Sequence, residues 1–383
     1  MLSTSLRRIT RDGHWIPELD GLRFLSIGFV FLFHLYVAFC AVTHVTGSTS
    51  WLFQPIRNGA RGVPVFFAIS GLVLALPFAR HHLNSGESVS LRKYYLRRLT
   101  RLEPPYILCV LGCMLLYAIY HHSFAGLLPH LAASLFYAHN FVYGAPNPAN
   151  GVLWSLEIEV QFYLLAPLLM QVFRLRPAWL RRTLVVAFTL LWILLQPHYL
   201  ATPRLQMTLL AYLPCFLAGM LAADLLLSRP KSAPSLLWDA LGLLALALLY
   251  CGTWSDASFT PILPACAFIL CVAAMRGNML RRTLASKWIA LIGGMCYSIY
   301  LWHLKLIIAV LALTRHCIVP SLGFTANFAL QLLLAGVPTL AVCVLFYIAV
   351  ERPCMNPRWP VDLLRKWKRR PVEDASLDSS GVS

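Results

Sequence analysis

Residues 20–42 read DGLRFLSIGFVFLFHLYVAFCAV, an apolar run whose formal charges, Asp20 and Arg23, both sit at its start. About 20 apolar residues make a helix long enough to cross a bilayer core of about 30 Å, so this run predicts a membrane-spanning helix. Nine further runs follow, at about 61–79, 102–120, 153–173, 183–196, 207–227, 235–252, 260–275, 288–313 and 327–350. Residues 127–143 add an interfacial or re-entrant segment. The expected fold is an all-α, polytopic membrane helix bundle of about ten transmembrane helices. Composition agrees: of 383 residues 59% are hydrophobic and 12% charged, against about 25% charged in a soluble domain. Mean hydropathy is +0.68.

These runs leave room for one membrane domain, residues 19–353, after an N-terminal segment 1–18 and before a tail 354–383. The N-terminal segment is polar and basic, with no small-residue cleavage site before the first run, so that run reads as a retained span. The tail interleaves Arg365, Lys366, Lys368, Arg369 and Arg370 with Trp359 and Trp367, which suits an anionic inner leaflet. Its small, acidic end reads as disordered.

The net charge of +17 is the signature of loops that fix orientation. Of 32 Lys and Arg residues, 26 fall on the side that carries both termini and 4 on the other, with Arg23 and Lys305 inside runs. By the positive-inside rule both termini are cytoplasmic. Nucleic acid is excluded as a partner, because no polar domain exists to present a basic face. The 11 cysteines include no CxxC pair and most lie in apolar runs, so neither a disulfide framework nor a metal site is indicated.

Titratable groups inside spans are costly and point to function. His34 lies fourteen residues into a first span that starts at Asp20, read here as its N-cap. At 1.5 Å per residue that is roughly 9 Å below the outer edge. Glu159, counted inward from Trp154, and His303, counted outward from Trp288, come out at roughly 7 and 8 Å. Three titratable groups are therefore expected at one depth. An imidazole and a carboxylate there suit general-base catalysis, the partner fixing the tautomer. The plainer reading is a buried histidine, or an ion pair, that merely ties helices together. Glu157, two residues from Glu159, reads as an outer-edge contact. On the cytoplasmic side, Arg98 and Arg101 share a helix face and suit a phosphate group, with Arg97 beside them. Arg23, eleven residues before His34, lies on nearly its face and is a second candidate for a diphosphate. Ser70 and Tyr297 are candidate polar liners.

Taken together, these motifs resemble the acyltransferase-3 family. The Arg23-to-His34 spacing, FFAISG (66–71), Arg98-x-x-Arg101, WSLEIEVQFY (154–163), YSIYLWH (297–303) and ERP (351–353) occur in the family's order. Val160 departs from a second acid often found there, and Glu157 replaces a small residue. The resemblance implies a multi-pass enzyme of the bacterial inner membrane. It implies transfer of an acyl group, usually acetyl, from cytoplasmic acyl-CoA to a hydroxyl of a sugar, lipid-linked glycan or other exported acceptor. It further implies that Arg23 and His34 are required and that Arg98 and Arg101 bind CoA phosphates. A C-terminal hydrolase-like domain carried by many members is not expected here. On this reading acetyl-CoA or another acyl-CoA is the donor and no metal takes part. His34 is the base, Glu159 or His303 orients it, and acylation of His34 is the alternative route. A glycan or lipid transporter is the competing function. Such proteins commonly show paired repeats, and this sequence shows none.

Overall fold

A backbone inside hydrocarbon must bond to itself, so every apolar run closes its own ladder as a helix. The computed structural model describes residues 6–9, 15–44, 47–48, 50–122, 125–228, 233–253, 261–356 and 359–360. The helices that matter here are α1 (Pro17–Thr43), α2 (Gly62–Leu83), α3 (Leu91–His121), α4 (Leu128–Leu135), α5 (His139–Tyr143), α6 (Trp154–Leu169) and α7 (Ala178–Tyr199). They continue with α8 (Leu209–Ser228), α9 (Leu236–Cys251), α10 (Ile262–Arg276), α11 (Met279–Leu284), α12 (Lys287–Gly294), α13 (Cys296–Thr314) and α14 (Phe324–Phe346). Among the described residues, 8 helical stretches are long and apolar enough to cross a membrane. The expected runs at 235–252 and 260–275 form the shorter apolar helices α9 and α10, of 16 and 15 residues. The expected run 288–313 is divided at Met295 into α12 and α13. Gly293 brings α12 against the Asp20 backbone of α1, where an added Cβ would lie 1.7 Å from the Asp20 carbonyl oxygen.

At the centre stands α2, the most enclosed span, packed on α1, α6, α8 and α10. Small residues permit the approach: Gly71 rests on the Phe216 backbone of α8, and Gly219 of α8 on the Ala68 carbonyl. The least enclosed span, α7, rests on α8 and turns a leucine-rich face outward.

Prolines inside these helices free carbonyl groups, and aromatic donors reclaim them. Pro104 leaves the Thr100 carbonyl without its helical donor, and the Trp359 indole supplies one at 2.8 Å. Pro167 frees the Tyr163 carbonyl for the Tyr94 hydroxyl at 3.1 Å. Pro214 frees that of Leu210 for Trp192 and Tyr199. The first two of these bonds stitch the start of α3 to the C-terminal segment and to α6. Arg352 also donates to the Arg7 carbonyl, which joins the described residues before α1 to those after α14 at one end of the bundle. That end carries the dense basic segments.

Two local expectations change. The first helix begins at Pro17, three residues before Asp20, and Asp20 is no N-cap: its buried carboxylate takes Arg8, Trp15 and Arg23. Residues 127–143 contain the two short helices α4, packed on α3, and α5, packed on the start of α6. The interfacial and disordered tail beyond Pro360 lies outside the described residues.

Candidate functional site

The arginines come first, because the start of α3 sets their direction. The Ser90 hydroxyl caps that helix by accepting from the Lys93 amide. The turns that follow aim Arg98 and Arg101 into the bundle. The Arg98 guanidinium lies over the rings of Tyr94 and Tyr163, at 5.4 and 5.7 Å, so the proline-freed carbonyl that holds Tyr94 also positions Arg98. Arg8, Arg23, Arg98 and Arg101 line two contiguous chambers, a mouth of about 340 Å³ at the basic end and a deeper one of about 120 Å³. Arg97 lines the mouth as well. Five guanidinium groups thus face the mouth against the single carboxylate of Asp20, which sits 2.5 Å from Arg23 and 3.2 Å from Arg8. Burial and the neighbouring Arg101 and Arg23 bring Arg8 down to about 10. The Nε of Arg101 is buried without a hydrogen-bond partner among the described residues. Such a chamber is built to hold an anion with several oxygens.

The deeper chamber runs along α2 and α6. Ser70 donates to Glu159 at 2.5 Å, and Tyr297, Tyr163 and Ser155 share the wall. Phe66 and Tyr300, with ring centroids 6.3 Å apart, line it where Tyr300 approaches His303. The Tyr300 hydroxyl is fixed 2.6 Å from Ser155 and donates to the Val152 carbonyl at 3.1 Å.

Behind Tyr300 lies the histidine pair. The His303 Nε2 and His34 Nδ1 atoms are 3.0 Å apart. His303 is fully buried and His34 half-buried. Their protons follow from their neighbours. His303 Nδ1 faces the carbonyls of Ile299 at 3.0 Å and Tyr300 at 2.8 Å, so it carries the hydrogen and leaves Nε2 a lone pair. His34 Nδ1 faces that lone pair and the Val30 carbonyl at 3.0 Å, so it too carries its hydrogen. The lone pair of His34 is thereby placed on Nε2, which makes no hydrogen bond within the described residues. A neutral imidazole with an open lone pair has the chemistry a general base needs.

The structure joins His34 to His303 and separates both from Glu159, against the expectation of one depth. Ser155, one turn before Glu159 on α6, meets Tyr300, which lies three residues before His303 on α13, a helix running the other way. Along the bundle Glu159 is therefore roughly 10 Å nearer the basic end than His303. The count from Trp154 took the start of α6 as an open edge, whereas α5 packs on it: Asn140 of α5 donates to the Trp154 carbonyl at 2.9 Å. Glu157 is buried as well, and accepts from the Asn140 amide at 2.9 Å. Nor do Arg23 and His34 share a cavity, for Arg23 lines both chambers and His34 neither. Arg8, Ser155 and Tyr300 went unread in the sequence. The i, i+4 spacing of Ser155 and Glu159 places both on one helix face and could have found Ser155. Among the described residues no cluster could hold a metal ion.

A family model described as an acyltransferase domain matches residues 16–348. The O-acetyltransferase OatA of Staphylococcus aureus (strain NCTC 8325 / PS 47) is 27% identical over 335 residues, covering 77% of this chain and 51% of OatA. Peptidoglycan O-acetyltransferase OatA of Listeria monocytogenes is 31% identical over 183 residues, 44% of this chain and 26% of its own. Nodulation protein 10 of Rhizobium leguminosarum bv. viciae is 28% identical over 349 residues, 81% of this chain and 85% of its own. The chain spans about half the length of the staphylococcal relative. No solved structure matches.

Proposed function

The chain belongs to the acyltransferase-3 family, and from that premise we propose that it is a bacterial inner-membrane enzyme moving an acyl group, acetyl first among them, from cytoplasmic acyl-CoA to a hydroxyl of an exported carbohydrate. The CoA phosphates sit in the mouth among Arg98, Arg101, Arg8 and Arg23. The pantetheine arm, roughly 15–20 Å long when extended, threads the deeper chamber and carries the thioester past Phe66 and Tyr300. Phe66 and Tyr300 present side-chain rings there, and passage requires Tyr300 to give up its hydrogen bonds to Ser155 and the Val152 carbonyl. His34 Nε2 takes the proton of the acceptor hydroxyl as its oxygen attacks the thioester carbonyl. The thiolate leaves and is reprotonated as the imidazolium returns to neutrality. His303, through the 3.0 Å contact to His34 Nδ1, holds the ring in the tautomer that leaves Nε2 bare. That contact, with both protons assigned by surrounding carbonyls, carries the reading.

The test uses purified full-length protein in detergent, with acetyl-CoA and a soluble oligosaccharide acceptor. His34→Ala is expected to abolish transfer while CoA still binds, and Arg98→Ala to weaken CoA binding about tenfold, the size of one charge-assisted contact. Turnover that persists in His34→Ala refutes the assignment of the base.

A further inference from the structure

Glu159 has no place in the histidine chemistry, since roughly 10 Å along the bundle separates it from His303. It is nonetheless a carboxylate held inside a membrane helix bundle, which costs free energy unless its oxygens are bonded. Ser70 meets one of them at 2.5 Å. The level of Glu159 is the informative point. It lines the deeper chamber together with Arg98 and Arg101 toward the mouth and with Phe66 and Tyr300 toward the histidines, so on the donor reading the arm runs beside this carboxylate. The lining mixes Val63, Phe66, Phe67 and Leu156 with the hydroxyls of Ser155, Tyr163 and Tyr297, and Glu159 is the one carboxylate in it, the strongest acceptor an entering N–H meets.

The arm of CoA carries two secondary amides between its phosphates and its sulfur. An extended chain advances roughly 1.2 Å per bond. The nearer amide nitrogen is three bonds from the sulfur, about 4 Å, and the farther is seven bonds away, about 8 Å. With the thioester at the histidines, the farther amide arrives at the Glu159 level and the nearer one at the Phe66 and Tyr300 rings. Resting on the donor reading above, we propose that Glu159, held by Ser70, is the site that accepts the N–H of the second pantetheine amide. Glu159 is thus a positioning residue for the donor: it sets how far the arm is threaded, and so whether the thioester reaches His34.

Equilibrium binding of two ligands to the full-length protein tests this: CoA, and adenosine 3′,5′-diphosphate, which keeps phosphates and nucleoside but lacks the arm. Glu159→Leu is expected to weaken CoA about tenfold, and Ser70→Ala about threefold, as fits the loss or loosening of one charge-assisted hydrogen bond. Adenosine 3′,5′-diphosphate should bind all three proteins alike. Equal weakening of both ligands marks a structural role and overturns the proposal, as does unchanged CoA binding in both variants. Should the Leu variant not fold, the Ser70→Ala ratio decides alone. Wild-type protein that binds neither ligand overturns the donor reading, and this site with it.

Discussion

Replacing His303 with phenylalanine isolates what the second histidine does. The ring should be accepted by shape, because His303 already sits among rings, with Phe31 at 6.2 Å and Tyr300 at 5.7 Å between centroids. The Ile299 and Tyr300 carbonyls keep their helical donors. What disappears is the Nε2 lone pair facing His34 Nδ1. In the resting enzyme the loss is small, for the Val30 carbonyl still accepts from Nδ1 and preserves the tautomer. In the transition state His34 becomes an imidazolium, and its Nδ1–H then lacks one charge-assisted partner, worth about 1.5–3 kcal/mol. The expected cost is roughly 10- to 150-fold in kcat, less than the roughly 10²- to 10⁴-fold of losing the base itself. Single-turnover acetyl transfer from saturating acetyl-CoA measures it, with CoA affinity as the control. Because the pair acts as a unit, His34→Ala/His303→Phe should be no slower than His34→Ala. An undiminished kcat in His303→Phe refutes the role, and so does a loss that appears only as weaker CoA binding.

Two other perturbations address the scaffold. Gly219→Val places a Cβ 1.9 Å from the Ala68 carbonyl and forces α2 from α8, which should cost about 1–3 kcal/mol or more. Gly28→Ala, with open space at its Cβ, should gain about 0.5–1 kcal/mol. The order of thermal midpoints in detergent checks both, and a Gly219→Val protein as stable as wild type contradicts the packing. The third concerns pH: burial first, then His130 with its Nδ1 2.8 Å from His139 Nε2, hold His139 below the usual 6.5. Its folded form therefore favours the neutral ring, and the unfolded chain binds the proton first. Stability should be full above about pH 6.5 and fall as pH drops below it. His139→Phe should flatten that slope in a thermal-midpoint series, and an unaltered slope discards the cause.

The bundle was legible because run length alone commits an apolar stretch to a helix, whatever its neighbours. The meeting of His34 and His303 was legible for a related reason. Both counts begin at polar edges at the basic end, on helices running the same way, so errors in the two origins cancel. Glu159 was counted from the opposite end, where α5 packs on the start of α6, and nothing local to α6 announces that contact. The Asp20 cluster was missed for another cause. An acid at the start of an apolar run reads as a cap; the i, i+3 spacing to Arg23 could have shown the pair, while Arg8 is brought to Asp20 only by tertiary approach. Pro104, Pro167 and Pro214 lie inside expected runs, and the donors that satisfy the carbonyls they free come from other segments, which no local pattern shows.

The mismatch in depth has a consequence for how the chamber works. Had the carboxylate stood beside the imidazole, a buried ion pair would have bound the base to its partner, and release of the proton would have cost the energy of that pair. A neutral partner fixes the tautomer without that attraction, since His303 offers a lone pair and no charge. The carboxylate is displaced toward the guanidinium groups, where it balances positive charge and not the catalytic proton. On the proposed mechanism the anionic carrier is loaded at one end and a hydroxyl is deprotonated at the other, and the roughly 10 Å between Glu159 and His303 keeps the two electrostatic tasks apart.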